Sequence, residues 1–231
     1  EHLADRLQAA LARRGIIVEG RTRGVRWPET PAARPDMVTL GEASSPPLRD
    51  LVTGFMKPSQ NLETGLIFGH LAELSRTAAT PPGRTTEELG VAALRAFLQR
   101  EKLPADDVKF EEGSGLSRNN LTTAHATVAL LVAMARHRAA ADFEASLPVA
   151  GMDGSLRTRM KGTPAEGNVR AKTGTLRYAN SLAGYVTTAG GERLAFCVML
   201  NRNSGQPPER SVRQEVDDIA VWLASFAGRV D

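Results

Sequence analysis

The chain has 231 residues, a net charge of +3, 42% hydrophobic and 24% charged residues: one large domain or two small ones, with a sizeable core. Near-neutral charge, scattered cations and 5% aromatics argue against nucleic acid as a partner. No apolar stretch approaches the roughly 18–20 residues that span a bilayer, and the single cysteine, Cys197 in the run LAFCVML, reads as an inert buried thiol that leaves the redox compartment open.

Leu3, Leu7, Ala10 and Leu11 recur at helical spacing and predict a helix over 2–14, stopped by Gly15. IIVEG (16–20) and MVTLGEAS (37–44) read as strands, being rich in β-branched residues. Pro46 and Pro47 open a helix with the stripe Leu48, Leu51, Val52 and Phe55, and Pro58 breaks it. A second helix follows at once, with Leu62, Leu66, Leu71 and Leu74 on or near one face. Thr85 with Glu88 forms a capping box that starts a helix to about Lys102. VKFEE (108–112) suggests a strand, GSGLSRNN (113–120) is a turn-rich loop of mainly structural character, and Thr122 or Thr123 caps a helix to about Arg138.

LPVAGMDGSLRTRM (147–160) reads as a loop with an Asp-Gly turn signal. Its Arg157 and Arg159, with Lys161 just beyond, are expected in solvent. Two strands follow, 179–187 and 193–201, joined by TAGGE, where Gly190-Gly191 suits a tight hairpin. The last helix starts at Ser211 and carries Val212, Val216, Ile219, Leu223 and Phe226. Helices first and a strand hairpin with a helix last predict an α+β architecture, an antiparallel sheet flanked by helices.

Two short stretches carry chemistry. In AKTGTL, Lys172 precedes Thr173, Gly174 and Thr175 at the start of the first hairpin strand. An ammonium and a hydroxyl there form an anion site, and a glycine lets a ligand backbone approach the strand. A peptide could then add along that edge as a further strand. The same tripeptide also suits a strand start with a surface lysine. In KPSQNLE, Ser59 and Asn61 stand two apart at a helix start. A hydroxyl there can relay a proton and an amide can hold a carbonyl, although serine and asparagine are also the preferred helix N-caps. The four histidines, at 2, 70, 125 and 137, show no metal-ligand spacing, so no metal is expected.

Ser-x-Asn followed by Lys-Thr-Gly matches the second and third motifs of the penicillin-recognising serine acyl transferases. The blocks SPPLRDLVTGFMKPSQNLETGLIF, GSGLSRNNLTT, LPVAGMDGSLRTRM, AKTGTL and SLAGYVTTAGGERLAFCVMLN occur in family order, and the resemblance around them extends from about Leu3 to Phe226. The chain resembles the D-alanyl-D-alanine carboxypeptidase/endopeptidase family typified by penicillin-binding protein 4, peptidase family S13. That resemblance implies a β-lactamase/transpeptidase-like fold and a penicillin-binding enzyme acting on peptidoglycan D-Ala-D-Ala stem peptides. It implies an exported, periplasmic or cell-envelope location, β-lactams as further ligands and no cofactor.

The same resemblance assigns roles. Ser59 would pass a proton to the leaving D-alanine, and Asn61 would bind the substrate amide. Lys172 and Thr173, beside Gly174, would hold the terminal carboxylate. The N–H of Thr175 would be an oxyanion-hole donor, and Leu176 would line the side-chain pocket. Family position also puts the loop DGSLRTRMKG (153–162) within range of the cleft.

The departures are local except for one. Thr64-Gly65 stands where many relatives carry Ala-Glu, and Glu112 where they often have Asp. The family's nucleophile sits in Ser-x-x-Lys, and no serine of this chain has a lysine three residues on. Residues 1–231 are therefore expected to be the C-terminal part of a transpeptidase-like domain, with the nucleophile on a missing N-terminal segment. A catalytically inactive relative that only grips peptidoglycan peptides is the alternative. A β-lactamase is disfavoured, because the surrounding blocks resemble the carboxypeptidases.

Overall fold

The computed structural model describes residues 2–24, 38–39, 41–202 and 211–228, and the chain divides at Ser44 into two units. In the first unit, α1 spans His2–Ala12 and buries none of its residues. Gly15, at φ 75°, ends it as the sequence predicts: its N–H donates to Ala12 O, and that of Ile16 to Leu11 O. The strand expected over 16–20 is absent. A β-branched run becomes a strand only where a neighbouring strand takes up its backbone groups, and Ile16–Val18 lie exposed with no ladder. Of the strand expected over 37–44, residues 37 and 40 lie outside the described residues, and the remainder is not in a strand.

The second unit begins with α2 (Leu48–Met56) and α3 (Asn61–Leu74), followed by α4 (Thr86–Arg100), α5 (Ala124–Ala135) and α6 (Ala140–Ser146). The capping box of Thr85 and Glu88 opens α4, and Thr123 caps α5 by accepting from Ala126 N at 3.0 Å. The helix predicted to run to Arg138 stops at Ala135, and the separate turns of α6 follow it. The leucines of α3 at positions 62, 66, 71 and 74 are exposed. Phe68 and Ala72 are buried instead, because Phe68 sits where Gly90 of α4 and Gly113 make room. A Cβ on either glycine would fall within 2.5 Å of that side chain. In place of the strand expected at 108–112 there is one antiparallel bridge, Lys109 with Leu121.

Three antiparallel strands follow in the order β1 (Arg170–Leu176), β2 (Ala179–Thr187) and β3 (Arg193–Asn201). Lys172 therefore lies inside a strand of its own, joined to β2 by Arg177 and Tyr178. Side chains alternate between two faces. Leu182, Val186 and Phe196 pack against Val216, Ala220 and Ala224 of α7 (Val212–Ser225). Tyr185 on the other face packs with Leu131 of α5 and Leu147, and donates its hydroxyl to Leu131 O. Fully buried side chains such as Leu182 and Val216 contribute about 1.5–3 kcal/mol each.

The buried row of α7 is 212, 216, 220 and 224, so Ile219 is exposed and Phe226 falls just past the helix end. Cys197 is half-buried on β3, and burial pushes its thiol pKa up, as an inert thiol requires. Arg159 is not in solvent. Its guanidinium forks onto Asp217 of α7, with side chains 12% and 14% exposed, and so ties the 147–160 loop to the back of the sheet.

Candidate active site

The Ser59 side of the site is built by a helix break. Lys57 closes α2, Pro58 blocks continuation, and Gln60 N returns to Phe55 O. Ser59 is left at φ 64°, a left-handed conformation that costs a non-glycine residue about 1 kcal/mol. The N-cap of α3 is Gln60 and not Ser59, and Asn61 is the first helical residue, so neither side chain is used up in capping. The Ser59 hydroxyl receives a hydrogen bond from Lys172 Nζ at 2.5 Å, across 113 positions of sequence.

The other side is the outer edge of β1. Ala171 N donates away from the sheet, to Pro148 O. Backbone direction repeats every second residue along a strand, so the N–H groups of Thr173 and Thr175 face that same outer edge. Lys172 spends one donor on Ser59 and one on Thr173 O at 2.9 Å, leaving a third for a ligand. Burial holds the Lys172 pKa below that of a free lysine. The Thr173 hydroxyl lies 2.9 Å from Ser155 Oγ.

Gly174 has a reason that the sequence did not suggest. It pairs with Ser181 on β2, and a Cβ on Gly174 would sit 2.3 Å from the Ser181 hydroxyl. The missing side chain makes room for Ser181 as well as for anything lying along the edge.

Asn61 is aimed by the loop 113–120. Its Nδ2 donates to Ser114 O at 2.7 Å. That carbonyl is held in turn by Glu112, whose carboxylate accepts from the backbone N–H of Ser114, Gly115 and Ser117 and from Asn120 Nδ2. Burial works to raise the Glu112 pKa, but the bonds from Ser114, Ser117 and Gly115 outweigh it and hold the carboxyl below its ordinary value. The loop is thus structural, as expected, yet it orients a site residue.

All seven residues singled out in the sequence — Ser59, Asn61, Lys172, Thr173, Gly174, Thr175 and Leu176 — line one cleft of about 620 Å³. These seven residues offer an ammonium, three hydroxyls, an amide and outward backbone N–H groups along an open strand edge. That set suits a peptide ending in a carboxylate. Three contributors escaped the sequence reading. Lys57 donates to Leu147 O and Asp153 Oδ2 at 2.8 and 2.7 Å, and Ser155 N donates to Lys57 O. Asp153 and Ser155 showed as part of a turn signal in a loop that the family resemblance puts near the cleft, with no role of their own, and Lys57 as a flank of Ser59.

The profile of the D-Ala-D-Ala carboxypeptidase 3 (S13) family matches residues 1–224. The D-alanyl-D-alanine carboxypeptidase of Actinomadura sp. (strain R39) is 36% identical over 227 residues, 96% of this chain and 39% of that protein. Penicillin-binding protein 4 of Haemophilus influenzae, solved with a bound β-lactam, superposes with a TM-score of 0.76 at 27% identity. The match covers 97% of this chain and 51% of that one. An extended-spectrum β-lactamase, TLA-1, is 15% identical with a TM-score of 0.53 over 75% of this chain and 61% of its own, which shows a common fold. The antiparallel sheet between helices is thus the β-lactamase-like α+β fold expected from the sequence. The chain spans about two fifths of the length of the curated relatives it matches.

Proposed function

Because the chain belongs to the D-Ala-D-Ala carboxypeptidase 3 (S13) family, we propose that it forms the carboxylate-binding and leaving-group side of a serine-type D-Ala-D-Ala carboxypeptidase/endopeptidase. The observation that carries this reading is the hydrogen bond from Lys172 Nζ to Ser59 Oγ inside the cleft. The substrate class is the peptidoglycan stem peptide ending in D-Ala-D-Ala, with β-lactams as its mimics.

The peptide lies along the outer edge of β1. Its terminal carboxylate meets the free N–H of Lys172 and the hydroxyl of Thr173. The N–H of Thr175 faces the carbonyl oxygen of the penultimate residue and stabilises the charge that gathers there. Asn61 keeps its Oδ1 and second N–H for the substrate amide, and Leu176 lines the wall. A serine from outside residues 1–231, with a lysine as base, attacks that carbonyl carbon. The carbon–nitrogen bond breaks, and the departing D-alanine amine takes its proton through Ser59 Oγ. Lys172 already donates to that oxygen, which leaves the Ser59 O–H free to point at the amine. Water then releases the acyl group. The chemistry needs no cofactor, and its substrate places the protein in the cell envelope or periplasm.

The test is binding of an N-acetylated peptide ending in D-Ala-D-Ala to the chain, by calorimetry. Lys172→Met is expected to weaken it at least tenfold, since a hydrogen bond to a charged partner is worth about 1.5–3 kcal/mol. Equal affinity in wild type and variant would overturn the proposal.

A further inference from the structure

The residues Asp153, Gly154 and Ser155 touch both halves of the cleft. Ser155 N donates to Lys57 O at 3.0 Å. Gly154, at φ 54°, presses so close to that carbonyl that a Cβ would lie 2.5 Å from it. Asp153 uses both carboxylate oxygens, Oδ2 for Lys57 Nζ and Oδ1 for Val149 N. The turn is therefore fastened to the segment that bends into Ser59. From its far end, Ser155 Oγ reaches Thr173 Oγ1 at 2.9 Å.

Either hydroxyl can donate in that pair, but the two directions differ in consequence. If Thr173 donates to Ser155, its only proton is spent inward and its lone pairs face the cleft, where they repel an anion. If Ser155 donates to Thr173, the Thr173 O–H is free to turn outward and donate to a carboxylate. We propose that Ser155 is a positioning residue: its hydroxyl donates to Thr173 and so directs the Thr173 proton at the terminal carboxylate of the ligand. The Lys57–Asp153 pair holds the turn that carries it. One brace thereby sets the spacing between the carboxylate-binding hydroxyl of Thr173 and the hydroxyl of Ser59. This role rests on the carboxylate-binding reading of the cleft.

The experiment compares two ligands on the 231-residue chain, the N-acetylated D-Ala-D-Ala peptide and its C-terminal amide. Wild type is expected to prefer the acid. Ser155→Ala is expected to reduce that preference about fivefold, in line with one lost hydrogen bond, while amide affinity stays within about twofold. Ser155→Cys, of similar volume and a weak donor, is expected to behave like Ser155→Ala and serves if the alanine variant does not fold. An unchanged acid preference in the variants overturns the role of Ser155 and leaves the carboxylate site standing. An equal loss for acid and amide also overturns it, because a general distortion does not distinguish the two ligands. A wild type without acid preference overturns the carboxylate site, and the role of Ser155 with it.

Discussion

Lys172 and Ser59 were legible in the sequence as residue types, because a lysine before Thr-Gly and a serine two before an asparagine are short local patterns. What joins them was not. Their contact spans 113 positions, and that of Lys57 with Asp153 spans 96. Nothing in the residues around Lys57 says that its ammonium crosses to another loop. Glu112 is an intermediate case. The sequence GSGLS announces a turn, but not that one carboxylate gathers its N–H groups. Its folded-state pKa is held below the unfolded value, so its stabilising contribution is fully present above the unfolded pKa, about 4.3. That contribution fades as pH falls through the folded pKa. Glu112→Gln is expected to cost about 1 kcal/mol at neutral pH, a modest value because the side chain is half-exposed. The gap from wild type should close on acidification below about pH 4. Urea unfolding at pH 7 and pH 3.5 checks this, and an equal gap at both would remove the carboxylate from the account.

Among the elements, the hairpin of β2 and β3 was readable from alternation and from the Gly190-Gly191 turn, and the capped starts of α4 and α5 from threonines at the right offsets. In α3 the leucine stripe does not mark the buried face. Its leucines form the obvious stripe, but the decisive feature is the space over Phe68 left by Gly90 and Gly113, which lie far along the chain. β1 was merged with its neighbour, because a two-residue turn at Arg177 and Tyr178 contains no glycine or proline to mark it. β1 packs tightly over Gly184 of β2. A Cβ there would stand 2.1 Å from Arg170 O and 2.6 Å from Ala171 Cα, both backbone atoms that no rotamer change can move. Gly184→Ala is expected to destabilise the chain by about 1–3 kcal/mol, and calorimetric melting should fall by roughly 2–12 °C. A melting temperature within a degree of wild type would mean that the two strands separate more easily than this packing implies.

For the molecule as a whole, the order of motif blocks carried further than any one block. Five in sequence specified the family and the fold, and the structure then gathered all seven chosen residues around one cleft. The layered arrangement follows from amphipathic patterns: α7 covers one face of the sheet and α5 the other. The ion pair of Arg159 with Asp217 was invisible, since a charged residue in a loop reads as solvated until its distant partner is known. At this scale the missing Ser-x-x-Lys has a direct consequence. Incubated with a fluorescent penicillin, the 231-residue chain is expected to give no covalent band on a denaturing gel. A band would place a nucleophile within residues 1–231 and displace the reading of Ser59 as a proton carrier.

The left-handed backbone at Ser59 puts durability and chemistry in opposition at a single position. Glycine adopts that conformation without penalty, so selection for thermal robustness alone would drift toward it. Doing so would delete the oxygen on which Lys172 converges. On the proposed mechanism the serine is a small, standing sacrifice of ruggedness, made so that a proton has somewhere to pass.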